Sequence, residues 1–110
     1  MREEIVELLN LPASGRDAPT LARLEDILTE GYAAALALEA ERLRVQRRLG
    51  EIVRAADPAA SAGLAQELAA LSERLTSAER ELVRLRGLLG TLHDRARASP
   101  QAAVRAARAR

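Results

Sequence analysis

From residue 64 onward, apolar side chains return at alternating intervals of four and three: Leu64, Leu68, Leu71, Leu75, Ala78, Leu82, Leu85, Leu89, Leu92 and Ala96. A period of 3.5 residues keeps one stripe of a slightly underwound helix turned toward a partner helix. Eight leucines and two alanines fill the stripe, and no polar residue breaks it. The row therefore predicts a long helix packed along one side, with Leu64, Leu68, Leu71, Leu75, Leu82, Leu85, Leu89 and Leu92 as its seam.

A second row runs through Leu21, Leu24, Leu28, Gly31, Ala35, Leu38, Arg42, Val45, Leu49, Ile52 and Ala56, interrupted at Gly31 and Arg42. Asp17 and Thr20 are both suitable N-caps, and Pro19 suits a first helical turn. Pro58 disfavours helical geometry at Asp57, so the first helix should end near Ala56. Asp57 or Ser61 can then cap the next. The expectation is two helices near 18–56 and 59–98, each about 60 Å long at 1.5 Å per residue. So short a connection forces antiparallel neighbours. Facing residues then carry numbers that sum to about 115. Leu49 falls near Leu64 and Leu68, Ala35 near Ala78 and Leu82, and Leu24 near Leu89 and Leu92.

The fold class that follows is all-α: a coiled-coil-like antiparallel helical hairpin over residues 17–98. A short amphipathic helix and loop precede it over 1–16, carrying Ile5, Val6, Leu8 and Leu9 and then Pro12 and Gly15. An Arg-rich tail follows over 99–110, where Ser99 and Pro100 end the second helix and can open a last short one.

Several apolar residues lie off both rows: Ile27, Leu36, Leu43, Val53, Val83 and Leu88. Leu36 and Leu43 are one heptad apart and form a second stripe that a two-helix hairpin cannot bury alone. A second copy of the chain would cover it and give a homodimeric four-helix bundle. The short N-terminal helix is the competing cover. Leu36 and Leu43 are accordingly the expected oligomer interface.

Composition sharpens this picture. Apolar residues make up 48% of the chain, yet there is no Phe, no Trp, no Cys and a single Tyr. A globular core normally uses aromatics to fill volume, whereas a helical seam needs only Leu and Ala. At 110 residues the chain has length for one domain. Without cysteine, disulfides, thiolate metal sites and thiol catalysis are excluded. No run approaches the roughly 20 apolar residues that span a bilayer. The start, Met1-Arg2-Glu3-Glu4, lacks the basic residues and apolar core of a signal peptide, so a cytoplasmic location is expected.

Candidate chemistry is sparse. His93, the only histidine, stands beside Asp94 near the end of the second helix, where a cation suits the helix dipole. One histidine without cysteine does not make a zinc site. Tyr32 follows Gly31 and is read as the ring that fills the glycine's space. Glu25-Asp26 and Glu3-Glu4 are adjacent pairs, which on a helix do not face each other. There is no phosphate-binding loop or dinucleotide fingerprint. No catalytic, cofactor-binding or metal-ligating residue is assigned, and no cofactor.

Charge is the one asymmetry. Residues 1–30 hold seven acids and three arginines, while residues 95–110 hold five arginines and no acid. Arg105, Arg108 and Arg110 are the candidate polyanion contacts. The hairpin offers another account, because it brings the basic end beside Glu25, Asp26 and Glu30. No aromatic interleaves the arginines to stack on bases. The leading expectation is a non-enzymatic helical interaction or oligomerisation module of adaptor, chaperone-like or structural kind. Its expected partner is itself or another helical protein, with no membrane. The alternative is a small nucleic-acid-associated protein using the tail.

Overall fold

The computed structural model describes residues 1–55 and 62–109. Four helices follow one another: α1 (Arg2–Leu9), α2 (Leu21–Ala55), α3 (Ala62–Arg97) and α4 (Pro100–Arg108). Among the described residues there is no strand. The expected caps at Asp57 and Ser61, the end of the first long helix at Ala56, and Arg110 lie outside the described residues.

Each helix has a local cause. Ala, Leu, Arg and Glu, the strongest helix formers, dominate α2 and α3. Of the two expected caps for α2, Thr20 takes the role: its Oγ1 accepts from the Arg23 amide at 3.1 Å. At the other end of the hairpin sequence, Ser99 accepts from the Ala102 amide at 3.1 Å and Pro100 opens α4. Proline is suited there because its missing N–H has no helical partner to lose. The loop between α1 and α2 turns at Gly15, whose φ of +94° favours glycine.

The two long helices pack against each other, and the chain divides into two compact units, Leu36–Val83 and Met1–Ala35 with Arg84–Arg110. In the first of these, Val45, Ile52 and Leu71 form a buried cluster with Leu49, Leu64, Leu68 and Leu75 packed against it. Two cross-helix ion pairs give the direction. Arg74 pairs with Glu41, and Arg48 Nη2 lies 2.9 Å from Glu67 Oε1. Position rises along α2 as it falls along α3, so the segments are antiparallel, and both pairs keep the register sum of about 115.

The second unit adds the short helices to the hairpin. Ile5 and Leu8 of α1 are buried, as are Leu21, Leu24, Ile27, Leu28, Leu85, Leu89 and Leu92. Burying one such Leu or Ile side chain stabilises by about 1.5–3 kcal/mol, so Ile5 and Leu8 are the main apolar contribution of α1 to this unit. Gly31 is where they meet: a β-carbon there would overlap Leu89 Cδ2 and lie 3.6 Å from Ile5 Cδ1. The glycine's missing side chain is the seat for Leu89. Ile27, an off-row residue by periodicity, is 0% exposed within this unit.

All ten positions of the α3 row are buried or half-buried. Of the α2 row, Leu21, Leu24, Leu28, Ala35, Val45 and Ile52 are buried, and Leu38, Arg42 and Leu49 are half-buried. Arg42 interrupts the row at a cost: its Nε is buried and makes no hydrogen bond. A buried donor left unsatisfied typically costs about 1–3 kcal/mol.

Candidate interaction surface

The side of α2 opposite the Val45–Ile52 core carries Leu36 and Leu43, which are 66% and 46% exposed. Ala40 lies between them and is also exposed. A spacing of seven residues is two helical turns, so the two leucines stand above one another on the same line. No part of the described chain closes over them. Apolar side chains scattered singly on a surface need no cause, whereas these two are aligned.

Charge frames this stripe. Toward the start of α2 stand Glu25, Asp26 and Glu30; past Leu43 come Arg44, Arg47, Arg48 and Arg54. Some of these are engaged within the chain. Arg44 Nη2 donates to Glu41 Oε2 at 3.0 Å, and Arg74 donates to the other oxygen of the same carboxylate. Hydrogen bonds from Arg74 and then Arg44 hold the Glu41 carboxyl below the ordinary glutamate value. Arg48 bridges Glu67 and Glu51, and the Glu67 bond is the main cause of its raised pKa. These exposed pairs fix geometry more than they add stability.

Tyr32 departs from its sequence reading. The space above Gly31 is taken by Leu89 and Ile5, and the ring is 47% exposed instead. Adjacent residues on a helix point about 100° apart, so a glycine facing the seam turns its neighbour to the flank. His93 is half-exposed, with Nδ1 3.8 Å from Asp94 Oδ1. Among the described residues no group of three His, Cys, Asp or Glu side chains is placed to hold a metal ion. No helix is long and apolar enough to cross a membrane, again among the described residues.

The arginines of the C-terminal segment have individual surroundings. Arg105 Nη1 donates to Glu25 Oε1 at 2.7 Å. Arg108 lies with Pro100, Gln101, Val104 and Arg105 along an open groove on α4. Arg95 donates to the carbonyl oxygens of Leu9, at 2.6 Å, and Leu11. Leu9 ends α1, where helical partners for carbonyls run out, Leu11 follows two residues on, and a guanidinium with several donors can satisfy both. Arg95 also lines a cleft of about 230 Å³ beside the 13–19 loop and the start of α4.

Two contacts escaped the sequence reading. Gln101 Oε1 accepts from the Leu21 amide, one of the four amides that open α2 without a helical partner. By charge alone Arg95 groups with the arginines of the tail, whereas it binds the end of α1. The sequence held a partial sign of each: α1 ends without a glycine cap, and Gln101 sits in the first turn of a helix opened by Ser99-Pro100. Neither sign names the partner, which only the folded chain brings within reach. Comparison of the chain with protein-family models, with curated proteins and with solved structures gives no match.

Proposed function

We propose that this chain is a non-enzymatic helical interaction and oligomerisation module, of adaptor, chaperone-like or structural kind, whose smallest assembly is a homodimer formed through α2. The observation that carries the reading is the aligned exposure of Leu36 and Leu43 on the side of α2 away from its core. Covering that stripe with the same stripe of a second hairpin would place four long helices around one apolar layer. A two-fold arrangement needs only one self-complementary surface, which makes it the simplest assembly available to a single chain.

The experiment is a comparison of the wild type with Leu36→Glu/Leu43→Glu by light scattering and circular dichroism. The wild type should have twice the 11.9 kDa mass of one chain. The double variant should be a monomer of unchanged helicity, since both positions are exposed in the isolated fold. A variant that keeps the wild-type mass would refute this surface.

The alternative reading, polyanion binding by the tail, has less support. Arg105 is committed to Glu25 and Arg95 to the end of α1. The α4 apolar positions are alanines and Val104, with no ring to stack on a base. Filter binding to DNA and RNA at about 150 mM salt should give no retention, because weak sequence-blind contacts are lost there.

A further inference from the structure

We infer that the cleft between the 13–19 loop and the junction of α3 with α4 binds a small carboxylate carrying a short apolar group. This inference is independent of the assembly proposed above. Every residue lining the cleft belongs to the one compact unit formed by Met1–Ala35 and Arg84–Arg110. Its volume of about 230 Å³ is below the roughly 300–1,000 Å³ of sites for drug-sized molecules, so the occupant is small.

The polar side chains of the cleft have spent their acceptors and kept their donors. Ser99 is buried, and its Oγ accepts from the Ala102 amide, which leaves the hydroxyl proton to donate. Gln101 gives its Oε1 to the Leu21 amide, so the free end of that side chain is its NH2. The Leu9 and Leu11 carbonyls anchor Arg95 through part of its set of N–H groups and bring no negative charge. Exposed Ser14 adds a hydroxyl that can turn either way. Among the described residues, none that lines the cleft is acidic. An anchored cation beside two oriented donors selects an oxyanion, and charge-assisted hydrogen bonds of this kind are roughly twice as strong as neutral ones. The rest of the wall is apolar: Leu24, 2% exposed, with Ala18, Pro19 and Pro100. That surface suits a short alkyl group, whereas the further oxygens of a phosphate would lose water there without gaining a donor.

The test is an NMR titration of the isotope-labelled full chain with sodium propionate, against sodium chloride at equal ionic strength. The Arg95 Nε–H, the Gln101 NH2 and the Gly15 amide should shift and saturate with a Kd on the order of 1 mM, while amides of the Val45–Ile52 core stay in place. Propionamide has a similar shape without the charge and should bind at least about tenfold more weakly. Ala18→Leu fills the cleft and leaves the Arg95 and Gln101 bonds intact, so it should weaken propionate to the same extent with unchanged circular dichroism. A valine-ended peptide with a free C-terminus, beside its C-terminal amide, distinguishes the source of the carboxylate. Tighter binding of the free-terminus peptide than of propionate would support the site through a chain end, and weaker binding would support it through a free acid. Shifts that grow linearly, as with chloride, would overturn the inference. Propionamide or inorganic phosphate binding as tightly as propionate would overturn it too, as would full propionate affinity in Ala18→Leu.

Discussion

Three glycines in the two long helices differ only in what surrounds them, and that difference sets the sign of one substitution. A β-carbon at Gly87 or Gly90 meets nothing within 4 Å. Alanine there should recover the intrinsic difference between the two residues in a helix interior, about 0.8–1.0 kcal/mol at each site. At Gly31 the same gain is opposed. The new methyl overlaps Leu89 Cδ2, and Leu89 is 1% exposed, so its side chain has no open space to swing into. Overpacking a filled core costs about 1–3 kcal/mol. Gly31→Ala should therefore be neutral to about 2 kcal/mol destabilised once the helix gain of about 1 kcal/mol is subtracted. Urea denaturation followed by circular dichroism, at one fixed protein concentration because association shifts apparent stability, reads all three variants. Gly87→Ala and Gly90→Ala should raise the midpoint with an unchanged slope, while Gly31→Ala lowers it or leaves it. The Leu89→Ala background adds a control, because removing the opposing methyls should make Gly31→Ala favourable there. A Gly31→Ala chain as stabilised as Gly87→Ala would refute the close approach of Leu89 to α2.

Four further outcomes follow from other contacts. Arg42→Leu should raise stability by about 1–3 kcal/mol in the same assay, since it removes a buried Nε that has no acceptor. Arg95→Ala should leave the Leu9 and Leu11 carbonyls without their donor, and hydrogen exchange of the α1 amides should quicken while those of the Val45–Ile52 core stay slow. Deleting residues 99–110 should lower Tm only modestly, because the losses include the Gln101 cap and the exposed Arg105–Glu25 pair, and α4 buries no side chain. The Glu41 carboxyl is held below its ordinary value of 4.5 by Arg74 and Arg44. Its stabilising effect is therefore complete above that value and is lost as pH falls through the lower folded-state value, so the Tm difference between wild type and Glu41→Gln should vanish on acidification through that window.

The legible part of this fold is the part governed by one helix facing another. The α3 row repeats without a slip, and each of its ten positions is buried or half-buried because a 3.5-residue period describes a two-helix seam directly. The register sum of about 115, expected from the short connection for the apolar neighbours, is also kept by the Glu41–Arg74 and Arg48–Glu67 pairs. Legibility ends where a third element enters. Ile27 lies off the α2 row yet is fully buried, in the unit where α1 and α4 join the hairpin. Gly31 looked like a gap for its neighbour Tyr32, but Leu89 from another helix fills it. Gln101 and Arg95 act on backbone groups 80 and 86 residues away, and no local pattern encodes such a distance. The exposed pair Leu36 and Leu43 was readable as a stripe from spacing alone, because a heptad interval places residues on one line whatever covers them.

Sedimentation equilibrium of the wild-type chain across concentrations from about 1 to 100 µM measures the proposed association directly, since mass action makes a reversible dimer concentration-dependent. The account predicts a mass that rises from 11.9 kDa toward twice that value and stops there. A single 11.9 kDa species throughout, with full helicity, would contradict it and leave Leu36 and Leu43 as surface residues without a partner copy.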